Sequence, residues 1–387
     1  MAKRGKIVVL HFVGQMPLAG IAWQAMHYLV ALEQLGWEAW YVEDGGANPY
    51  DPRERTVAME CAYNVGYLRR VMEEYGFGGR WAYWDAINDV YHGLGRGQVR
   101  ALYAEADALI NLCGATRLRD EHLACPVRII VDTDPVYEQI KYAKADPAAR
   151  AYLDAHTHFF TYGENLGTAL CPVPLAGVPW HPTRPPVDLS LWPQPDDIPP
   201  CFTTIGTWEN KGKDIEFDGT RYVWSKHLNF LRFLELPQHR PRTCFEIAME
   251  PPDEGVRRTV EGAGWRIADP QPVSADMASY RHFIAGSRGE FTVAKDIYVR
   301  PSSGWFSDRS ACYLAAGRPV VTMRTGFAQN IPVGSGLFDY ASEDEALAAI
   351  DMIATDYRSH SRAAREIARE HFAGDRVLAP FLAAAGL

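Results

Sequence analysis

The stretch SSGWFSDRSACYLAAGRPVV, Ser302 to Val321, sets hydroxyls, a glycine, two large aromatic rings, a carboxylate and a guanidinium side by side. A helix starting near Phe306 or Ser307 would turn its free N–H groups and positive dipole end toward an anion. Ser302 and Ser303 would bring hydroxyls to that anion, Gly304 would allow close backbone approach, and Ser307 would cap the helix or touch phosphate. Arg309 and the nearby Lys295 would offset the charge of a diphosphate. A plainer reading makes Ser307 an N-cap, Asp308 a first-turn acid, and Trp305 and Phe306 core plugs.

Other candidates lie in the first half. Asp132-Thr133-Asp134 follows an apolar run, and a DxD there can hold a divalent metal on a diphosphate. It lies far in sequence from the phosphate-like stretch, so Asp134, at a strand end before Pro135, reads as the acceptor-activating carboxylate, with turn capping as the alternative. His11, at the end of the first apolar run, is the second candidate base. Gly14, Gln15 and Met16 form a flexible loop suited to an acceptor, and Trp84, with Trp81 and Tyr83, can stack on a sugar or flat ring. His156, His158 and His181 are each possible bases, although a lone histidine is more often a packing or turn residue. No metal site is expected.

These groups need a frame. Ile7 to Val13 is a short apolar run, Ile21 to Leu35 carries helical spacing, and Ala39 to Asp44, Asp107 to Gly114, Val127 to Pro135 and His158 to Glu164 each run from apolar to small or polar residues. Parallel strands deliver loops to one sheet edge in this way. A proline-rich segment, Cys171 to Pro200, then interrupts, and the alternation restarts at Cys201. The expected fold is α/β, with two facing Rossmann-like doubly wound domains, 1-187 and 188-387, the second carrying the C-terminal helices. Ligands of such sheets bind outside the carboxyl ends of the strands, which places the site between the domains.

Composition narrows the partners. The chain has 387 residues, a net charge of -9 and no long Lys/Arg run, which argues against a nucleic-acid surface. Seven cysteines are scattered singly, as reduced thiols of a cytoplasmic protein would be. No apolar run is long enough to span a bilayer.

The segment GEFTVAKD with SSGWFSDRSACYLAAGRPVVTMRTGF resembles the nucleotide-sugar half of GT-B glycosyltransferases. Ala315, Ala316, Gly317, Pro319, Val320 and Val321 match the turn that ends the family's diphosphate-binding helix. The resemblance implies a nucleotide-diphosphate sugar as donor substrate, no separate cofactor, and a small-molecule or glycan acceptor. It puts Thr325 and Gly326 at the sugar, Gly206, Thr207 and Lys211 of GTWENK at phosphate or sugar, and Ala268 of GWRIADPQ at the base. The family's His-Gly-Gly or Glu-rich signature is absent. Cys312 stands where many members carry a ribose-binding glutamate, leaving Glu290 or Asp308 for that role. An epimerase or oxidoreductase acting on nucleotide sugars is the alternative, weakened by the lack of GxGxxG. A noncatalytic nucleotide- or carbohydrate-binding protein is another.

Overall fold

Apolar runs too short for helices, each followed by an amphipathic segment, build two parallel sheets in the structure, a computed structural model that describes residues 4–387. The first sheet holds β1 (Lys6–Leu10), β2 (Glu38–Glu43), β3 (Trp81–Asp85), β4 (Val90–Gly93), β5 (Ala108–Leu112), β6 (Val127–Asp132), β7 (His158–Thr161) and β8 (Trp180–Pro182). Their order is β8-β7-β6-β5-β1-β2-β3-β4, and only the β3-β4 hairpin is antiparallel. β1 and β5 are buried almost throughout, because helices cover both faces of a doubly wound sheet.

The second sheet holds β9 (Cys201–Ile205), β10 (Cys244–Ala248), β11 (Arg266–Ile267), β12 (Gly289–Thr292), β13 (Val320–Met323) and β14 (Leu337–Tyr340), ordered β11-β10-β9-β12-β13-β14 and parallel throughout. Both sheets reverse direction beside their first strand, between β1 and β5 and between β9 and β12. Crevices open at such switch points, outside the carboxyl ends of the strands.

Three helices frame these crevices: α1 (Ala19–Gln34) after β1, α2 (Ala62–Glu74) after β2, and α3 (Asp308–Ala315) before β13. At its end the chain returns to the first domain. α4 (Gly374–Ala384), read in sequence with the second domain, lies on α1, where a Cβ at Gly374 would come 2.5 Å from that of Ala31. Phe381 packs on Phe160 with ring centroids 4.2 Å apart, and Val187 N–H bonds Phe372 O at 2.7 Å.

Cys201 and Cys244 are register partners on β9 and β10 and form a disulfide. The expectation of wholly reduced thiols is therefore corrected. The two cysteines lie 43 residues apart, and only strand pairing brings them opposite each other. The remaining cysteines are free. Among the described residues no helix is long and apolar enough to cross a membrane.

Arg318, in the turn before β13, is fully buried. It donates to Ala285 O at 2.9 Å, Asp197 O at 3.0 Å, Asp197 Oδ1 at 2.9 Å and the Tyr357 hydroxyl at 2.9 Å. It thus ties the interdomain connector to two helices of the second domain. Arg318→Met strands these acceptors and is expected to cost about 2 to 4 kcal/mol in chemical denaturation, the range for losing several charge-assisted hydrogen bonds at one buried site. A loss below about 0.5 kcal/mol, the size of an ordinary surface change, would contradict that role.

Candidate functional site

The second domain brings three cations to its switch point. Gly206 immediately follows β9, and a Cβ there would lie 3.4 Å from Lys226 Nζ and 3.8 Å from Arg309 Nη1, so the missing side chain opens the crevice onto both. Arg309 donates to Glu290 Oε1 at 2.5 Å and to the Thr292 hydroxyl at 2.9 Å, both on β12. Lys295 reaches Asp134 Oδ1 across the cleft at 3.3 Å, and its ammonium lies 3.4 Å from the centroid of the Trp224 ring. The Lys226 side chain has no ion pair or hydrogen bond among the described residues. Burial, then repulsion from Arg309 and Lys295, holds its ammonium well below the ordinary lysine range. Glu290 Oε2 is buried without a partner. A lysine without an ion pair beside two cations held by carboxylates has the composition to meet an anion, and Glu290 Oε2 has the capacity to accept a hydroxyl.

Lys226 was not singled out in the sequence, yet a signal was present. It immediately precedes the helix His227–Leu231, where the helix dipole disfavours a cation. Lys211, expected at the phosphate, is 81% exposed and pairs with Glu209 at 3.4 Å. Thr207 is exposed, and the Ala268 N–H pairs with Ile247 O on β10. Lys213 faces the cleft, 4.7 Å from the centroid of Trp224.

The SSGWFS loop joins the domains. Ser303 Oγ donates to Tyr298 O at 3.1 Å and accepts from Trp305 N–H at 3.3 Å. Asn165, after β7, donates to Ser302 O at 2.9 Å and Gly326 O at 3.1 Å. Gly304 has φ +81, and a Cβ there would meet Asn165 N at 2.8 Å. Trp305 stacks on Tyr298 with centroids 4.3 Å apart and donates to Thr133 O at 2.9 Å. Phe306 packs between Phe327 and Phe372, and the Thr325 hydroxyl donates to Trp305 O at 2.5 Å. The expected phosphate cradle is thus corrected to an interdomain seam, because the first domain fills the space that Gly304 leaves. Ser307 occupies the N-cap position of α3 without a side-chain cap bond. Asp308 accepts from Gln24 of α1 at 2.9 Å and Tyr162 at 3.3 Å, and burial raises its pKa to about 6. Asp308 thus links the head of α3 to the first domain.

The first domain presents its own switch point. His11 ends β1 and is 1% exposed. Because Gln24 Nε2 donates to Asp308, Gln24 Oε1 is free to accept from His11 Nε2–H at 2.9 Å and from the Cys113 thiol at 3.0 Å. That bonding leaves His11 Nδ1 as the unprotonated nitrogen, buried and unpartnered. Burial lowers its pKa to about 4, so the ring is neutral at pH 7. Burial alone would raise the pKa of Asp134, but Lys295, the Tyr298 hydroxyl and Lys213 hold it below the usual carboxylate range, and its Oδ1 is already engaged by Lys295 and Tyr298. The acceptor loop is pinned by Glu43, which accepts from Gly14 N–H at 2.6 Å and from Gln15 N–H, while Met16 N–H closes a turn onto Phe12 O at 2.9 Å. Trp84 lies on the outer β3-β4 hairpin, bonded to Asp89 and stacked on Tyr91. A cavity of about 320 Å³ opens at the ends of β5 and β6, lined by Cys113, Asp132, Asp134, Tyr137, Glu138 and Lys213 among others.

This is the GT-B fold, two Rossmann-like domains with facing switch points. No protein-family model matches the chain, and no curated protein matches its sequence. Solved structures similar to it include an alpha-glucosyltransferase (AGT) in complex with UDP, at TM-score 0.61 and 9% identity over 99% of this chain and 100% of that one. Anabaena Alr3699/HepE in complex with UDP matches at TM-score 0.57 and 10% identity over 98% of this chain and 100% of that one. AviGT4, a glycosyltransferase involved in Avilamycin A biosynthesis, matches at TM-score 0.54 and 13% identity over 98% and 97%. The exclusion of nucleic acid is corrected by the same comparison, because the alpha-glucosyltransferase is also solved with UDP-glucose and DNA, at TM-score 0.61 and 10% identity over 99% and 100%. Net charge is a poor guide here, since a local surface rather than the total meets a nucleic acid.

Burial, reinforced by the Asp134 and Glu138 charges, lifts the pKa of Asp132 to about 7. A raised acid pKa means that the folded chain keeps a proton which the unfolded chain has already released. That stabilisation is complete below about pH 4 and is lost as pH rises through about 7. Asp132→Asn keeps an oxygen to accept from Gln139 and Thr161, which both bond Oδ2. The variant is expected to gain stability over the natural chain between pH 5 and pH 8, on the order of 2 kcal/mol in urea titrations. An unchanged difference across that range would contradict a neutral Asp132.

Proposed function

We propose that the protein is a glycosyltransferase that holds a nucleoside-diphosphate sugar against the second domain and transfers the sugar to a hydroxyl lodged at the strand ends of the first. The observation that carries this reading is Lys226, a buried amine without an ion pair that opens onto the space left by Gly206 beside Arg309, and that an arriving anion would favour in its charged form. The fold shared with glycosyltransferases solved with UDP supports the diphosphate as the missing anion.

Lys226 and Arg309 bind the diphosphate and stabilise the charge that grows on it as the sugar leaves. No metal or separate cofactor is invoked in this scheme, in which Lys226, with Arg309 and Lys295 beside it, meets the diphosphate. Glu290 Oε2 accepts a hydroxyl of the sugar or ribose. His11 Nδ1 takes the acceptor proton as the hydroxyl oxygen bonds to the anomeric carbon and the diphosphate departs. If the leaving diphosphate takes that proton instead, His11 becomes dispensable and the configuration is retained. The acceptor is a hydroxyl-bearing molecule, a sugar or a modified nucleic-acid base, seated in the cavity beside Asp132 and Glu138.

Nucleoside diphosphate release from a panel of nucleotide sugars, with sugar and DNA acceptors and no added Mg²⁺ or Mn²⁺, tests the reading. Lys226→Met is expected to lower kcat/KM by about 10² to 10³, the loss seen when one charge-stabilising donor is removed. His11→Gln is expected to lower kcat by about 10² to 10⁴ while leaving donor KM unchanged. No turnover with any donor, or turnover indifferent to Lys226→Met, would overturn the proposal. An absolute need for Mg²⁺ or Mn²⁺ would overturn the metal-free scheme.

A further inference from the structure

Away from the crevice, three metal-ligating side chains of three different types meet in the first domain. Cys61 caps the start of α2, Asp85 ends β3 and His92 lies on β4. Cys61 Sγ is 3.3 Å from Asp85 Oδ2 and 3.7 Å from His92 Nε2, and all three ligand atoms lie within 4.8 Å of one another. Zinc bonds sulfur at about 2.3 Å and nitrogen or oxygen at about 2.0 to 2.2 Å, so a tetrahedral angle sets neighbouring ligand atoms about 3.5 Å apart. The two measured sulfur distances bracket that edge.

The surroundings fit as well. Asp85 is 6% exposed and forms no salt bridge among the described residues, so its charge lacks a cation. Asn88 Nδ2 donates to Asp85 Oδ2 at 2.8 Å, and the Ile87 N–H donates to Oδ1 at 3.1 Å. These bonds fix the carboxylate as outer partners fix a metal ligand. The other three-ligand cluster, Asp44, Glu121 and His122, differs here, because Arg119 already neutralises Asp44 at 2.9 Å.

We propose that Cys61, Asp85 and His92 bind one zinc ion, with water in the fourth position. Binding releases the thiol proton to solvent, and the Asp85 Oδ2 lone pair that accepted it turns to the metal. His92 is half-buried, which gives the ion a path from solvent. The ion would brace the start of α2 against the β3-β4 hairpin. Next to these elements, Asn64 of α2 donates to Gly14 O at 2.7 Å, and a Cβ at Gly14 would meet the Tyr83 ring of β3 at 2.8 Å. The acceptor loop thus rests on the braced unit.

The test uses the full chain, stripped of metal and titrated with Zn²⁺ or Co²⁺ alone. One ion per chain and a near-ultraviolet thiolate-to-cobalt band are expected. Cys61→Ser should abolish the band. His92→Gln should weaken binding by at least the roughly 10- to 100-fold that losing an outer partner costs. Cys171→Ser, a buried free cysteine elsewhere, should change neither. Alkylation of the native chain supplies a readout that needs no variant, with Zn²⁺ expected to slow modification of Cys61 alone. Absence of a cobalt–thiolate band, a band that survives Cys61→Ser, or alkylation of Cys61 indifferent to Zn²⁺ would overturn the proposal.

Discussion

A buried lysine with no ion pair, set beside two other cations at the switch point of the second domain, is the constraint on which the site depends. Taking a cation out of water is costly unless an anion meets it, and the two nearby carboxylates are already engaged, Glu290 with Arg309 and Asp134 with Lys295. The chain tolerates Lys226 because its repeated α/β units create a crevice that a ligand can fill. Gly206 leaves room for that ligand, and the rigid β9 and β12 strands fix the surrounding charges to within the tolerance that recognition needs.

The facing domain is aligned with equal economy. Asn165 and Thr133 hold the SSGWFS loop, while Gln24 links His11 and Cys113 to Asp308 at the head of α3. One glutamine side chain therefore sets the imidazole tautomer in the first domain and anchors a helix of the second. Opening the cleft would break this link and the Lys295–Asp134 pair together. The hydrogen bonds that orient the candidate base thus belong to the same set that joins the two domains.

Much of the frame was legible in the sequence. Short apolar runs ending in small or polar residues mark parallel strands, and the proline-rich interruption marks the passage between domains. The switch-point logic then placed the crevice. What the sequence obscured were matters of long-range pairing. Ser302, Ser303 and Gly304 have the composition of a phosphate loop, but the same small residues also let another strand end approach, and the first domain does so. Cys201 and Cys244 look isolated until β9 and β10 are placed in register. Lys226 was overlooked because it lies far in sequence from Arg309 and Lys295, although a lysine at a helix start was a local inconsistency of the kind that marks functional sites. Arg309 and Glu290 were legible as charges, but their mutual pairing was not.

The central claim is that the crevice of the second domain binds a diphosphate through its cations. Calorimetric titration of the natural chain with UDP, GDP and ADP, each paired with its parent nucleoside, measures this without assuming an acceptor. One nucleoside diphosphate is expected to bind at micromolar concentration, its nucleoside at least about 100-fold more weakly, with added salt weakening the diphosphate selectively. Equal affinity for nucleoside and diphosphate, or no binding of any of the three, would contradict it.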